Sequence, residues 1–186
     1  MTTIRLAGIS GSLRKDSNNT AILKTLQERL PAEIELSLLP LDSLPLFNSD
    51  LDGTELPMSV FAFREEIQAA DGLVICSPEY NAGTSGVLKN ALDWASRPAS
   101  TSSLKHKPVL IMSSSPGFTG GVRAHAQLRE TFSSTLSRVV IHPPVVIAGA
   151  HEKIKGGRLV DEANVEFALG AIAALVDDIL ADRRLQ

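Results

Sequence analysis

"DGLVICSPEYNAGTSGVLKNALDWA", residues 71–95, holds the two periodicities that decide the fold. Its first seven residues form an apolar run without alternation, the pattern of a strand buried on both faces. Pro78 follows at once, then a polar loop. From Val87 onward Val87, Leu88, Ala91, Leu92 and Ala95 recur at helical spacing. A buried strand that feeds an amphipathic helix is the repeating unit of a parallel sheet.

The same unit recurs on both sides. "IRLAGIS" (4–10) and "KPVLIMSSS" (107–115) read as buried strands of the same kind. "VVIHPPVVIAG" (139–149) is another, in which Pro143 and Pro144 imply a bulge or an edge position, because proline donates nothing to a ladder. "EIELSLL" (33–39) alternates, apolar at Ile34, Leu36 and Leu38, as a strand near an edge does. Helical stripes lie between: Ile22, Leu23, Leu26 and Leu30; then Val165, Leu169, Ile172, Leu175, Val176 and Ile179; with "FREEIQAADG" and "GVRAHAQLRETFSSTL" completing the set. Five strands alternating with five helices predict a doubly wound α/β fold, with residues 1–186 as a single domain. The longest irregular stretch, 39–57, is expected to be functional or an interface.

Composition narrows the function. The chain carries 18 Lys and Arg against 21 Asp and Glu, a net charge of −3 without a basic block, so nucleic acid is not expected as a partner. A lone cysteine, Cys76, excludes an internal disulfide framework and fits a reducing compartment, so the cytoplasm is the expected location. No run approaches the roughly 20 apolar residues of a membrane span. A soluble protein is expected.

Ligands of open α/β sheets bind beyond the carboxyl ends of the strands, which directs attention to residues 10–19, 77–86 and 113–121. The first loop, "SGSLRKDSNN", combines the hydroxyls of Ser10, Ser12 and Ser17, the amides of Asn18 and Asn19, and the charge of Arg14 at a helix start. Neither G-x-G-x-x-G nor a Walker lysine is present, so a dinucleotide fingerprint and a P-loop are both missing. Side-chain donors plus one arginine suit a terminal monophosphate. A well-capped helix start with a polar lead-in explains the same residues, and composition alone leaves both readings open. In the second loop Tyr80 offers a flat face, while Pro78, Glu79, Asn81 and Gly83 let the backbone turn with its polar groups exposed. That combination can hold a planar heterocycle by stacking and by edge hydrogen bonds.

"GSLRKDSNN" and "SPEYNAGTSGVLKNALDWASRP" together resemble the NADPH-dependent FMN reductase family, flavodoxin-like proteins that include chromate, quinone and azo-dye reductases. The similarity runs from about Ile4 to Gly149. The resemblance implies strand order 2-1-3-4-5 and places the FMN phosphate on Ser12, Arg14, Ser17 and Asn19, with Asn18 contributing its backbone. It lays the isoalloxazine ring along Pro78, Glu79, Tyr80 and Asn81, with Ser115 and Gly117 closing on the other edge. It further implies homodimers or homotetramers with flavin sites near subunit interfaces. The expected activity takes hydride from NAD(P)H onto FMN and passes electrons to a small-molecule acceptor such as a quinone, a flavin, an azo compound or a metal oxyanion. No protein acid or base is obligatory, so no catalytic residue is assigned. The alternatives are a non-enzymatic FMN electron carrier and a reductase that releases FMN as a product. Where many relatives carry a bulky residue and a proline, this chain has Ala82, Gly83, Thr84 and Ser85, which predicts a pocket more open or more mobile over the flavin.

Other residues read as structural. Cys76 is expected as a core hydrophobe. His106, His125, His142 and His151 lack metal-ligand spacing and are expected at the surface or an interface, and no metal site is predicted. Trp94 is expected to pack or to meet a second subunit.

Overall fold

The structure, a computed structural model, describes residues 3–185. Strand β1 (Ile4–Ser10) lies at the middle of the sheet, parallel to β2 (Ile34–Leu39) on one side and β3 (Gly72–Ser77) on the other. β3 pairs in parallel with β4 (Pro108–Ser115), and β4 with β5 (Arg138–Val139). The order is therefore 2-1-3-4-5, with β2 at the edge as its alternation predicts.

The fifth position differs from a continuous strand. After β5, Val140 N still donates to the Val109 carbonyl at 2.9 Å; the chain then leaves the ladder at residues 141–144 and returns as β6 (Val145–Ala148), which again pairs with β4. Pro143 and Pro144 lack the N–H groups that pairing would need, so the intervening residues bulge outward and Ile141 is 99% exposed.

The helices cover both faces. α1 (Asn18–Arg29) and α6 (Glu162–Leu185) take one, where Leu6, Val74, Cys76 and Met112 meet Ile22, Leu26, Ile172 and Leu175. α2 (Met58–Ala69), α3 (Gly86–Ala95) and α4 (Arg123–Ser134) take the other, where Ile9, Leu73 and Ile75 meet Ile67, Leu88, Leu128 and Phe132. Alternate residues of β3 thus enter different cores, which explains why its sequence is apolar throughout. A short helix α5 (Ala150–Lys153) and a small antiparallel hairpin, β7 (Ile154–Lys155) and β8 (Arg158–Leu159), intervene before α6. Sequence patterning does not announce either. Among the described residues no helix is long and apolar enough to cross a membrane.

The irregular 39–57 stretch is anchored on α3. The Pro45 carbonyl accepts from Asn90 Nδ2 at 2.9 Å and Trp94 Nε1 at 2.8 Å, and Phe47 meets the Trp94 ring edge-on. Trp94 is fully buried there as a packing residue.

Candidate functional site

Three loops leave the carboxyl ends of β1, β3 and β4 side by side, because those strands are parallel neighbours. They enclose a cleft of about 150 Å³ lined by Ser12, Arg14, Ser17, Asn18, Asn19, Pro78, Glu79, Tyr80, Ser114, Ser115 and Pro116. Residues as far apart in the chain as Ser12 and Pro116 are thereby brought to one place. Of the residues singled out in these loops, Ser10, Asn81, Gly83 and Gly117 are not among the lining; Ser10 Oγ instead accepts from Thr20 Oγ1 at 2.8 Å. Ser114 and Pro116 are lining residues that sequence reasoning missed, although both lie within the third loop it marked.

The phosphate-type donors gather at the start of α1. Ser17 caps the helix, its Oγ accepting from Thr20 N at 3.3 Å, so the capping reading holds for this residue. Asn18 and Asn19 occupy the first helical turn, where backbone N–H groups have no intrahelical acceptor and the helix dipole favours an anion. The Arg14 guanidinium makes one described hydrogen bond, 3.3 Å to the Asp16 carbonyl, and meets no carboxylate among the described residues. Asn19 is held from below. Its Oδ1 accepts from Cys76 Sγ at 3.2 Å and from Ser114 Oγ at 2.9 Å, which leaves Nδ2 free to donate into the cleft. Cys76 is the core residue expected, fully buried, with its thiol pushed above the ordinary range by burial.

The loop after β3 forms a tight turn. Tyr80 and Gly83 exchange both backbone hydrogen bonds, at 3.0 and 3.1 Å, and the central residues Asn81 and Ala82 have φ of 52° and 63°. Two left-handed central residues define a type I′ turn, a conformation asparagine adopts readily and alanine at a cost. The N–H groups of Asn81 and Ala82 have no acceptor among the described residues. Tyr80 is 52% exposed. Glu79 lines the cleft while its carboxylate accepts from Arg123 N at 3.0 Å, at the start of α4, where a negative charge meets the helix dipole.

The Ala82–Ser85 segment, where relatives are bulkier, is short in side chains but firmly tied. Thr84 N donates to Gln127 Oε1 at 2.7 Å, and Thr84 Oγ1 lies 2.8 Å from Ser77 Oγ. Ser85 Oγ donates to the Gly11 carbonyl at 2.6 Å while capping α3. A side chain at Gly11 would place its Cβ 2.8 Å from Pro78 Cδ, so only glycine allows the first two loops to lie this close. Gln127 had no sequence signal, since its partner is 43 positions away.

The third loop carries less. Ser115 Oγ accepts from Gly117 N at 3.1 Å, and Gly120 and Gly121 take φ of 60° and 86°. Phe118, 94% exposed, makes no core contact. Beneath this loop lies a correction to the sequence reading. His125 is buried rather than superficial, because the α4 stripe turns it toward β4. Its Nε2 lies 3.0 Å from Ser113 Oγ, its Nδ1 has no partner among the described residues, and burial reinforced by Arg129 lowers its pKa to about 4. The other histidines are half-buried or exposed, and among the described residues no cluster of His, Cys, Asp and Glu could hold a metal.

A 2-1-3-4-5 parallel sheet flanked by helices, with a donor-lined cleft at its carboxyl edge, defines a flavodoxin-like protein. The chain belongs to the NADPH-dependent FMN reductase family, whose model it matches over residues 4–153. It is 38% identical over 173 residues to an NAD(P)H-dependent FMN reductase of Pseudomonas aeruginosa, covering 92% of this chain and 93% of the relative. A quinone reductase of Escherichia coli is 36% identical over 176 residues, at 92% and 93% coverage. Among solved structures, the flavoenzyme NAD(P)H:(acceptor) oxidoreductase from Paracoccus denitrificans superposes with a TM-score of 0.86 at 33% identity, covering 96% of this chain and 98% of that one. This chain is accordingly an oxidoreductase with FMN and NAD(P)H as its cofactors.

Proposed function

We propose that the chain, as one domain, binds FMN across the three-loop cleft and transfers reducing equivalents from NAD(P)H to a quinone-type acceptor. The observation that carries this reading is the convergence, around one cleft, of anion donors from the first loop and a flat aromatic shelf from the second.

The donor set fits the flavin's phosphate end. Ser12 Oγ, the free Nδ2 of Asn19, the Arg14 guanidinium and the first N–H groups of α1 offer the number and sign of donors that a phosphate dianion accepts. FMN, when bound, supplies a ring that takes hydride from a nicotinamide and returns electrons to a second substrate. The chain's part is to bind and orient. Pro78 and Tyr80 form the shelf under the ring, and the unpaired N–H groups of Asn81 and Ala82 are donors available to its edge. Because Gln127, Ser77 and Ser85 fix this turn beforehand, its donors need no reorganisation on reduction.

The names of the relatives support a quinone-type acceptor. The same reading includes a cytoplasmic homodimer or homotetramer, in which a second subunit would cover Tyr80 and Phe118 on the loops that border the cleft.

Visible absorption of the purified protein, followed by denaturation and identification of the released chromophore, tests the assignment. A flavin spectrum with FMN released is the expected result. A colourless protein that takes up no added FMN would end it.

A further inference from the structure

On the far side of the first loop lies a second groove, of about 320 Å³, lined by Ser10, Ser12, Leu13, Arg14, Thr20, Lys24, Leu38, Leu39, Pro40, Leu41 and Asp42. It shares Ser12 and Arg14 with the FMN cleft, so the two are neighbours across one arginine. Its volume falls in the range of small-molecule sites. Its parts have distinct chemistry. Leu38, Leu39, Pro40 and Leu41, where the chain leaves β2, form an apolar wall, and Leu13, 58% exposed, faces solvent at the first loop. Two cations border it. Arg14 meets no carboxylate, and Lys24 has no ion-pair partner among the described residues, because Glu28, one turn further along α1, is held by Arg158 at 2.5 and 2.8 Å. One carboxylate, Asp42, is exposed at the rim.

An apolar wall, one lysine without an ion-pair partner among the described residues and one exposed acid together match the adenosine half of a nicotinamide dinucleotide: a flat base, a phosphorylated ribose and a free hydroxyl. We infer that this groove is the adenosine subsite, with Lys24 receiving the ribose 2′-phosphate of NADPH, Arg14 remaining on the FMN phosphate across the loop, and Asp42 accepting from a ribose hydroxyl. This rests on the proposed function, because it requires the nicotinamide to reach the neighbouring flavin cleft. Lys24 is then a residue that sets preference for NADPH over NADH. It is a point charge on the exposed face of α1, suited to a phosphate and of no use to a bare hydroxyl.

Adenosine 2′,5′-bisphosphate is the probe, since it carries the proposed determinants without a nicotinamide. Calorimetric titration into the protein should show binding that weakens about fivefold to tenfold in Lys24→Gln, the loss of one charge-assisted contact. In steady state, the ratio of kcat/KM for NADPH to that for NADH should fall by a similar factor. Unchanged bisphosphate affinity, or a ratio that stays within twofold of the wild type, would overturn the assignment. So would a loss of FMN affinity in Lys24→Gln, which would place this lysine in the flavin site. FMN binding by the wild-type protein, measured alongside, reports on the parent reading separately: bisphosphate binding that Lys24→Gln weakens, in a chain that takes no FMN, would support the groove and remove the flavin.

Discussion

The two sides of the three-loop cleft are built to different standards. The loops after β1 and β3 are clasped to each other and to α4 by Ser85, Ser77 and Gln127, with bonds of 2.6 to 2.8 Å and a backbone approach that only glycine permits at position 11. The loop after β4 turns through two left-handed glycines, has one described side-chain bond within it, from Gly117 N to Ser115 Oγ, and otherwise rests on backbone: Gly149 N donates to the Gly117 carbonyl at 3.4 Å and Gly120 packs directly on Val146. The difference teaches a division of labour. The clasped side carries the donors expected to meet phosphate and ring, whose positions must be fixed in advance. The looser side has only to close over an edge.

Acid is the strongest way to break this contrast. His125 supports the looser side from beneath through Ser113, and burial keeps its imidazole neutral down to about pH 4. In the unfolded chain the same ring takes its proton near 6.5. Between those values the unfolded state binds more protons, so stability falls as pH drops from about 6.5 toward about 4, by on the order of 3 kcal/mol in full. Thermal melts at pH 7 and pH 4.5 should show this drop, and His125→Leu should flatten it. A slope that persists in that variant would clear His125 of the effect.

Loosening the clasp comes next. Ser85→Ala removes both the bond to the Gly11 carbonyl and the cap of α3, at a cost of about 1–2 kcal/mol. FMN affinity should decline with it, as the first two loops separate. A denaturant midpoint equal to the wild type's would show that the clasp is not what holds them. The smallest effect belongs to the exposed tip of the third loop. Phe118→Ala should change monomer stability by less than about 0.5 kcal/mol, since the ring meets no core. If the proposed oligomer covers it, light scattering should instead report a smaller particle, which would sharpen the contrast by giving the loose loop its own purpose.

What could be read from sequence followed from locality. β3 and α3 are legible because burial on two faces and on one leave different periodicities in adjacent residues, and Ser17 and Ser85 announce their helices by capping. Pro143 and Pro144 announced the break in the fifth strand, though not that the chain would rejoin β4 as β6. The lining of the cleft was legible as residue types in marked loops. Its support was not, because Gln127, Ser85 and Ser114 act through partners 43 to 95 positions away and carry no local pattern. His125 shows the same limit. Its place on the α4 stripe was visible, but the absence of a partner for Nδ1 is a property of the packed core alone. Glu79 shows it again: the helix start that holds its carboxylate lies 44 positions downstream.

The interrupted fifth strand has a consequence for handling the protein at high concentration. Open sheets invite a stray chain to add itself along the outermost ladder, the first step toward fibres. Here that margin is split into pieces of two and four residues by a bulge with two prolines, too short and too crooked to template a neighbour. At the opposite margin β2 places Glu35 and Ser37 outward. Both margins therefore resist cross-β growth by construction, and the protein should keep its colloidal stability in concentrated stocks without additives.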